Sequence, residues 1–216
     1  MTKFTNKWNI HEYKSLKDKL GRVIKSEKPL KPIIEHAIKE IRVQIAKLDL
    51  VYAKIRERAL KIFNSIVIFI ERRDMQHASM LANELSEVKR IIKLITQSKL
   101  ALEQIVLRLE TVKDLGEITS SIGPTIPVIK SIKTGLVGVI PEAENKMIEI
   151  SDLLNEVVVN ASQIGEGQIS FKILNEDAER ILAEASAIAE DRIKDNLPEI
   201  PHSLSRKIQE VMPETT

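Results

Sequence analysis

The chain has 216 residues, of which 30% are charged and 43% hydrophobic, enough to bury a core in one or two domains. It contains no cysteine, which excludes disulfides, thiolate zinc sites and cysteine nucleophiles. The net charge of +2 conceals a split: residues 1–113 carry 24 Lys+Arg against 13 Asp+Glu, net +11, and residues 114–216 carry 9 against 18, net −9. Such halves attract each other, and the basic one is drawn to anionic surfaces.

Aromatic residues are only 3% of the chain while isoleucine alone contributes 32 residues, which favours helices packed along seams. The first 28 residues form a basic segment. Phe4, Trp8, Tyr13, Leu16, Leu20, Val23 and Ile24 gather on one side, with Lys3, Lys7, Lys14, Lys17 and Lys19 among or opposite them. That pattern suits a helix lying in a membrane interface, where each lysine near an anionic surface adds about 1 kcal/mol. A helix packed on the rest of the protein with Trp8 as anchor fits the same residues. The segment has no signal-peptide core. The longest apolar runs, such as Ile66–Ile70, are far short of the roughly 20 residues of a membrane span. The sequence therefore predicts a cytoplasmic protein.

Residues 29–122 form the second segment. From Ile33 to Leu115 there is no glycine and no proline. Ile34, Ile38, Ile41, Ile45, Leu48, Tyr52, Ile55, Ala59, Ile62, Ile66 and Phe69 follow steps of four and three, a heptad seam. Isoleucine prefers strands, but a strand needs alternation by two, so periodicity decides for a helix. Pro32 sits near its start, where a missing N–H costs little. The seam breaks near residues 71–77 and resumes at Ala78, Leu81, Leu85, Val88, Ile92, Ile95, Leu102, Val106 and Leu109, with Lys99 in one slot. Two matched seams around a short polar break predict an antiparallel hairpin with Asp74 as N-cap of the second helix. Each arm would be roughly 60 Å long.

Residues 123–164 are rich in glycine and proline: Gly123, Pro124, Pro127, Gly135, Gly138 and Pro141 mark a hinge-rich, weakly helical stretch. Helix resumes from Glu142 to about Gln163, with Met147, Ile150, Leu154 and Val157 on one side. Residues 165–195 predict an acidic helix with Ile173, Ala178, Ile181, Ala185 and Ile188 on one face. Residues 196–216 form a tail that opens on Leu197-Pro198-Glu199-Ile200-Pro201. Two prolines three apart fix an extended, polyproline-like path suited to docking in a groove between helices. The pattern places this element outside any core seam, where a partner can reach it.

The chemistry of catalysis is missing. His11, His36, His77 and His202 are scattered without metal-ligand spacing. There is no phosphate-cradling loop and no nucleophile elbow. The sequence calls for no cofactor and no metal, and predicts a protein that works by shape and association, not an enzyme. A soluble coiled-coil scaffold or adaptor without a membrane role is the competing reading. Nucleic acid is not expected as a partner, because the basic residues lack a reading motif.

The order of these parts (basic arm, Gly/Pro-free hairpin, hinge-separated acidic helices, LPEIP near the end) resembles the ESCRT-III, Snf7-type proteins over nearly the whole chain. Among them it is similar to the crenarchaeal cell-division protein B paralogues. The resemblance implies an all-α fold and a subunit that forms homo- and hetero-filaments with paralogues. It implies work on anionic membrane necks at the inner face of the cell membrane during division. It further implies remodelling by an AAA-type ATPase, whose three-helix MIT domain binds proline-rich C-terminal peptides. Leu197, Pro198, Glu199, Ile200 and Pro201 would then form the ATPase-binding motif, and Lys3, Phe4, Lys7, Trp8, Lys14 and Lys17 the membrane-binding residues. The 15 residues after Pro201 are too few for the winged-helix domain that some archaeal relatives carry, so this subunit is expected to join an assembly begun by others. The opposite charges of the two halves lead to one more expectation: a closed form in which the acidic C-terminal helix folds onto the basic hairpin.

Overall fold

The computed structural model describes residues 29–115, 118–162 and 171–198. Among them are six helices and no strand: α1 (Leu30–Glu71), α2 (Met75–Leu115), α3 (Ile118–Ile122), α4 (Thr125–Leu136), α5 (Pro141–Ser162) and α6 (Phe171–Asn196). The all-α fold with a long helical hairpin is as expected from the sequence.

Helices α1 and α2 have 42 and 41 residues. The turn between them is short because each end is closed by its own chemistry. Arg73 N–H donates to the Ile70 carbonyl and Asp74 N–H to the Phe69 carbonyl, both at 2.9 Å. This is a Schellman closure, which needs a left-handed residue after the helix end. Arg73 supplies it with φ 59°, although glycine is the usual occupant. Asp74 then caps α2 as the sequence predicts: its Oδ1 accepts from the His77 amide at 3.2 Å. Oδ2 lies 2.7 Å from His77 Nδ1, and the His77 ring stacks on Phe69 with centroids 5.2 Å apart.

The chain divides into two compact units, and both long helices contribute to each. Among the described residues, the first unit takes residues 29–45 and those between Ala101 and Leu182. Here α2 buries one wide stripe: Ala101, Leu102, Ile105, Val106, Leu109 and Val112 are all buried, while Leu107 and Thr111 on the other side are exposed. Helices α3 and α4 both pack on α5. Met147, Ile150, Leu154 and Val157 are buried along α5, as their spacing predicts. The Arg42–Glu110 ion pair, at 2.6 Å, ties α1 to α2 within this unit.

Two details of this unit differ from the sequence reading. The seam of α1 leaves Ile45 half-buried and instead buries Gln44, at 2% exposure. Its Nε2 atom finds no hydrogen-bond partner among the described residues. Gly135 is not a hinge, since α4 runs through it. The break falls at residues 137–139, closed by Val139 and Ile140 amides donating to the Leu136 carbonyl. Pro127 lies in the first turn of α4 and Pro141 opens α5, positions where a proline removes no helical hydrogen bond.

Among the described residues, the second unit takes Ala46–Leu100 and residues 183–198. Its hairpin is tied by Arg58–Glu84 at 2.6 Å and Asp49–Lys99 at 2.5 Å, so the one lysine in the α2 seam is matched across the hairpin. The core is one cluster: Ala59, Ile62 and Ile66 from α1, Leu85, Val88 and Ile92 from α2, and Leu197 just past the end of α6. Tyr52, Ile55, Phe63, Ile70, Leu81, Ala82 and Ile193 pack around it, half-buried.

Candidate partner-binding site

The site grows out of the end of α6. The Leu197 amide still donates to the Ile193 carbonyl at 3.0 Å, and the Asn196 side chain donates to the Arg192 carbonyl at 2.7 Å. Pro198 has no N–H to continue this ladder, so the helix stops. That stop places Leu197 one helical turn beyond Ile193 on the same side, facing the hairpin. Leu197 is 4% exposed, inside the cluster built by α1 and α2.

Two lysines of α2, four residues apart and thus on one helix face, flank that contact. Lys89 Nζ donates to the Pro198 carbonyl at 2.9 Å, in part-buried surroundings. Lys93 pairs with Glu190 of α6. The hydrogen bond and charge of Lys93 hold the Glu190 carboxyl below its ordinary pKa. Both side chains of this pair are half-exposed, so the pair orients more than it stabilises. Polar ends and a leucine thus bring the acidic helix onto the basic hairpin within this unit, as the charge split of the sequence leads one to expect.

The placement of Leu197 corrects one sequence-based expectation. The motif was expected outside any core seam. Its first residue lies inside one, because the seams of α1 and α2 leave an apolar face uncovered at this level and Leu197 is the side chain that reaches it. Pro198 is half-buried. Glu199, Ile200 and Pro201 lie outside the described residues, as do Lys3, Phe4, Lys7, Trp8, Lys14 and Lys17. Lys89 and Lys93 were not singled out from the sequence. The only signal for them was the opposite sign of the two halves of the chain.

Elsewhere, Val43, Leu50 and Leu107 are exposed apolar residues on the two long helices, Leu50 at 66%. Among the described residues no helix is long and apolar enough to cross a membrane, and no cluster of three or more metal-ligating side chains occurs.

A long helical hairpin followed by shorter helices is an all-α, ESCRT-III-like build. Comparison with known proteins makes this more specific. The chain is 35% identical over 180 residues to cell division protein B1 of Sulfolobus acidocaldarius, covering 83% of this chain and 84% of that protein. It is 27% identical over 189 residues to cell division protein B of the same organism, covering 86% and 72% respectively. The chain belongs to the archaeal ESCRT-III-type cell division protein B family. No family model and no solved structure matches it.

Proposed function

We propose that this protein is a non-enzymatic filament subunit of archaeal cell division. It polymerises with its own copies and with paralogues at the inner face of the cell membrane, helps constrict the division neck, and is remodelled by an AAA-type ATPase. The observation that carries the reading is the likeness to cell division protein B1 over 83% of the chain. The hairpin supports it: long, stiff helices with exposed Val43, Leu50 and Leu107 offer apolar surface to a neighbouring subunit. The basic residues 1–28 supply the membrane contact, and residues 197–201 the peptide read by the MIT domain of the ATPase. The docked C-terminal helix is then the closed form of the subunit, and its release favours assembly.

Co-sedimentation with anionic vesicles, followed by negative-stain imaging, tests this reading. Pelleting that is lost on removing residues 1–25, with filaments or tubes in the images, is the expected result. Discrete dimers with and without lipid would leave a soluble coiled-coil scaffold as the better description.

A further inference from the structure

Helices α4 and α5 fold back on each other through the turn at residues 137–139, and a cleft of about 310 Å³ opens between them. Its floor is apolar, from Ile129 of α4 and the buried Met147 of α5. Its walls are polar: Lys130 and Lys133 come from α4, and Ser151, Asp152 and Asn155 from α5. Residues three and four apart share a helix face, so each helix turns its polar group toward the same space. We propose that this cleft binds a phosphorylated polyol, with the phosphate on the two lysines and the hydroxyls on Ser151, Asp152 and Asn155.

Ser151 is the clearest sign of a ligand. It is 6% exposed, yet among the described residues its hydroxyl has no hydrogen-bond partner. Ser65, Thr96, Thr111 and Thr134 each donate to the carbonyl four residues back, the usual way for a helix to satisfy such a hydroxyl. Ser151 makes no bond of that kind and lines the cleft instead. A polar group so far from water is normally paired, and the cleft is the space from which a partner reaches it.

The charged groups define the ligand. Lys130 is exposed and forms no ion pair among the described residues. Lys133 lies 3.5 Å from Glu144, with both side chains about one-third exposed. Such a pair is weakly held, so Lys130 is the first anchor for a phosphate and Lys133 the second. Asp152 argues against a bare anion, because it too forms no ion pair among the described residues and repels one. A carboxylate accepts hydrogen bonds from hydroxyls, and the Asn155 amide both donates and accepts. Two cations beside a carboxylate, an amide and a hydroxyl thus match a phosphate at one end and several hydroxyls at the other. The apolar floor takes the C–H face of a ring, and the volume is at the small end of ligand sites, the size for one ring with a phosphate. Such a group comes from a lipid headgroup or from a soluble polyol phosphate. The site is separate from residues 1–28 and 197–201 and does not depend on assembly.

Calorimetric titration of the full chain with inositol monophosphate, inorganic phosphate and inositol tests the site. Inositol monophosphate should bind saturably, and about 10-fold or more tightly than either of the others. Lys130→Gln should weaken it by about 10-fold, the effect of losing a charged hydrogen bond. Ser151→Ala should weaken it by about fivefold, yet keep or raise the melting temperature of the free chain, since it removes a buried hydroxyl without a partner. Asp152→Asn should narrow the preference for inositol monophosphate over phosphate. Equal affinity for those two ligands, or titrations unchanged in Lys130→Gln and Ser151→Ala, would overturn the site. So would a change of self-association in Lys130→Gln with no change in titration, which would make the cleft a contact between copies. Flotation with vesicles containing phosphatidylinositol or an equal charge of phosphatidylglycerol separates the two sources. A preference for phosphatidylinositol that Lys130→Gln abolishes supports the site with a headgroup as its ligand. Equal flotation alongside tight binding of the free compound supports it with a soluble ligand.

Discussion

Lys89 and Pro198 stand 109 positions apart in the chain, yet the lysine Nζ donates to the proline carbonyl at 2.9 Å. This bond joins a helix of the hairpin to the residue that ends the last helix. A part-buried hydrogen bond of this kind is worth about 1 kcal/mol. Lys89→Met keeps the aliphatic stem and removes the donor. Hydrogen exchange of the Leu197 amide should speed up by about fivefold, while amides in α5 should be unchanged. Unaltered protection at Leu197 would show that the leucine alone holds the contact.

The cluster around Leu197 is small, so each member matters. Ile66 is 1% exposed and central to it. Ile66→Ala should destabilise the protein by about 2–5 kcal/mol in urea unfolding. Leu50 is 66% exposed, and Leu50→Ala should stay within about 0.5 kcal/mol of the native chain.

The hairpin turn carries removable strain. Arg73 occupies a left-handed position that costs a non-glycine residue roughly 1–2 kcal/mol. Arg73→Gly should therefore raise the unfolding free energy by about 1 kcal/mol, the gain in backbone fit exceeding the greater freedom of glycine when unfolded. Asp74→Ala should lower the melting temperature by removing the cap on the His77 amide, and Asp74→Asn should restore most of it.

Gly123 is required by close approach. A Cβ there would lie 2.7 Å from Leu174 Cδ2 and 2.7 Å from the Thr119 carbonyl oxygen. The leucine can rotate, but the backbone oxygen cannot, so Gly123→Ala should cost about 1–3 kcal/mol. At Gly138 an added Cβ meets nothing within 4 Å. Gly138→Ala should be neutral or stabilising by up to about 1 kcal/mol. Thermal unfolding of the two variants side by side checks both.

The Lys93–Glu190 pair predicts a pH dependence of definite sign. The carboxyl of Glu190 is held below its ordinary pKa by the Lys93 hydrogen bond first and its charge second. A carboxylate depressed in the folded state contributes stability above its unfolded pKa of about 4.3 and loses it as pH falls through the folded value. The melting-temperature difference between the native chain and Glu190→Gln should be full near about pH 7 and close below about pH 4. A difference that persists in acid would mean that the pair does not act through charge.

Much of the architecture was legible in the sequence because helix formation here is set by local pattern. The four-and-three spacing of Ile34 through Phe69 gave α1. Asp74 gave the start of α2, and Met147 through Val157 gave the inner face of α5. Proline and glycine marked the breaks, although Gly135 misled: a glycine near a helix end is tolerated, and the chain turned at Gly138 instead. Gln44 was missed because the buried stripe of α1 also takes in Ile33, Ala37 and Gln44 beside Ile34, Ile38 and Ile41, and is wider than a strict heptad seam.

The sequence by itself determined the helices, their breaks, the basic and acidic halves, and the proline element at residues 197–201, since each depends on neighbours within a few positions along the chain. Only the tertiary structure decided where Leu197 goes. Its seat is made by residues near positions 59–66 and 85–92, more than 100 positions away, and no local spacing encodes that meeting. Its cause is the apolar face that two paired seams leave open, covered by the one leucine that a proline stop leaves aimed at it.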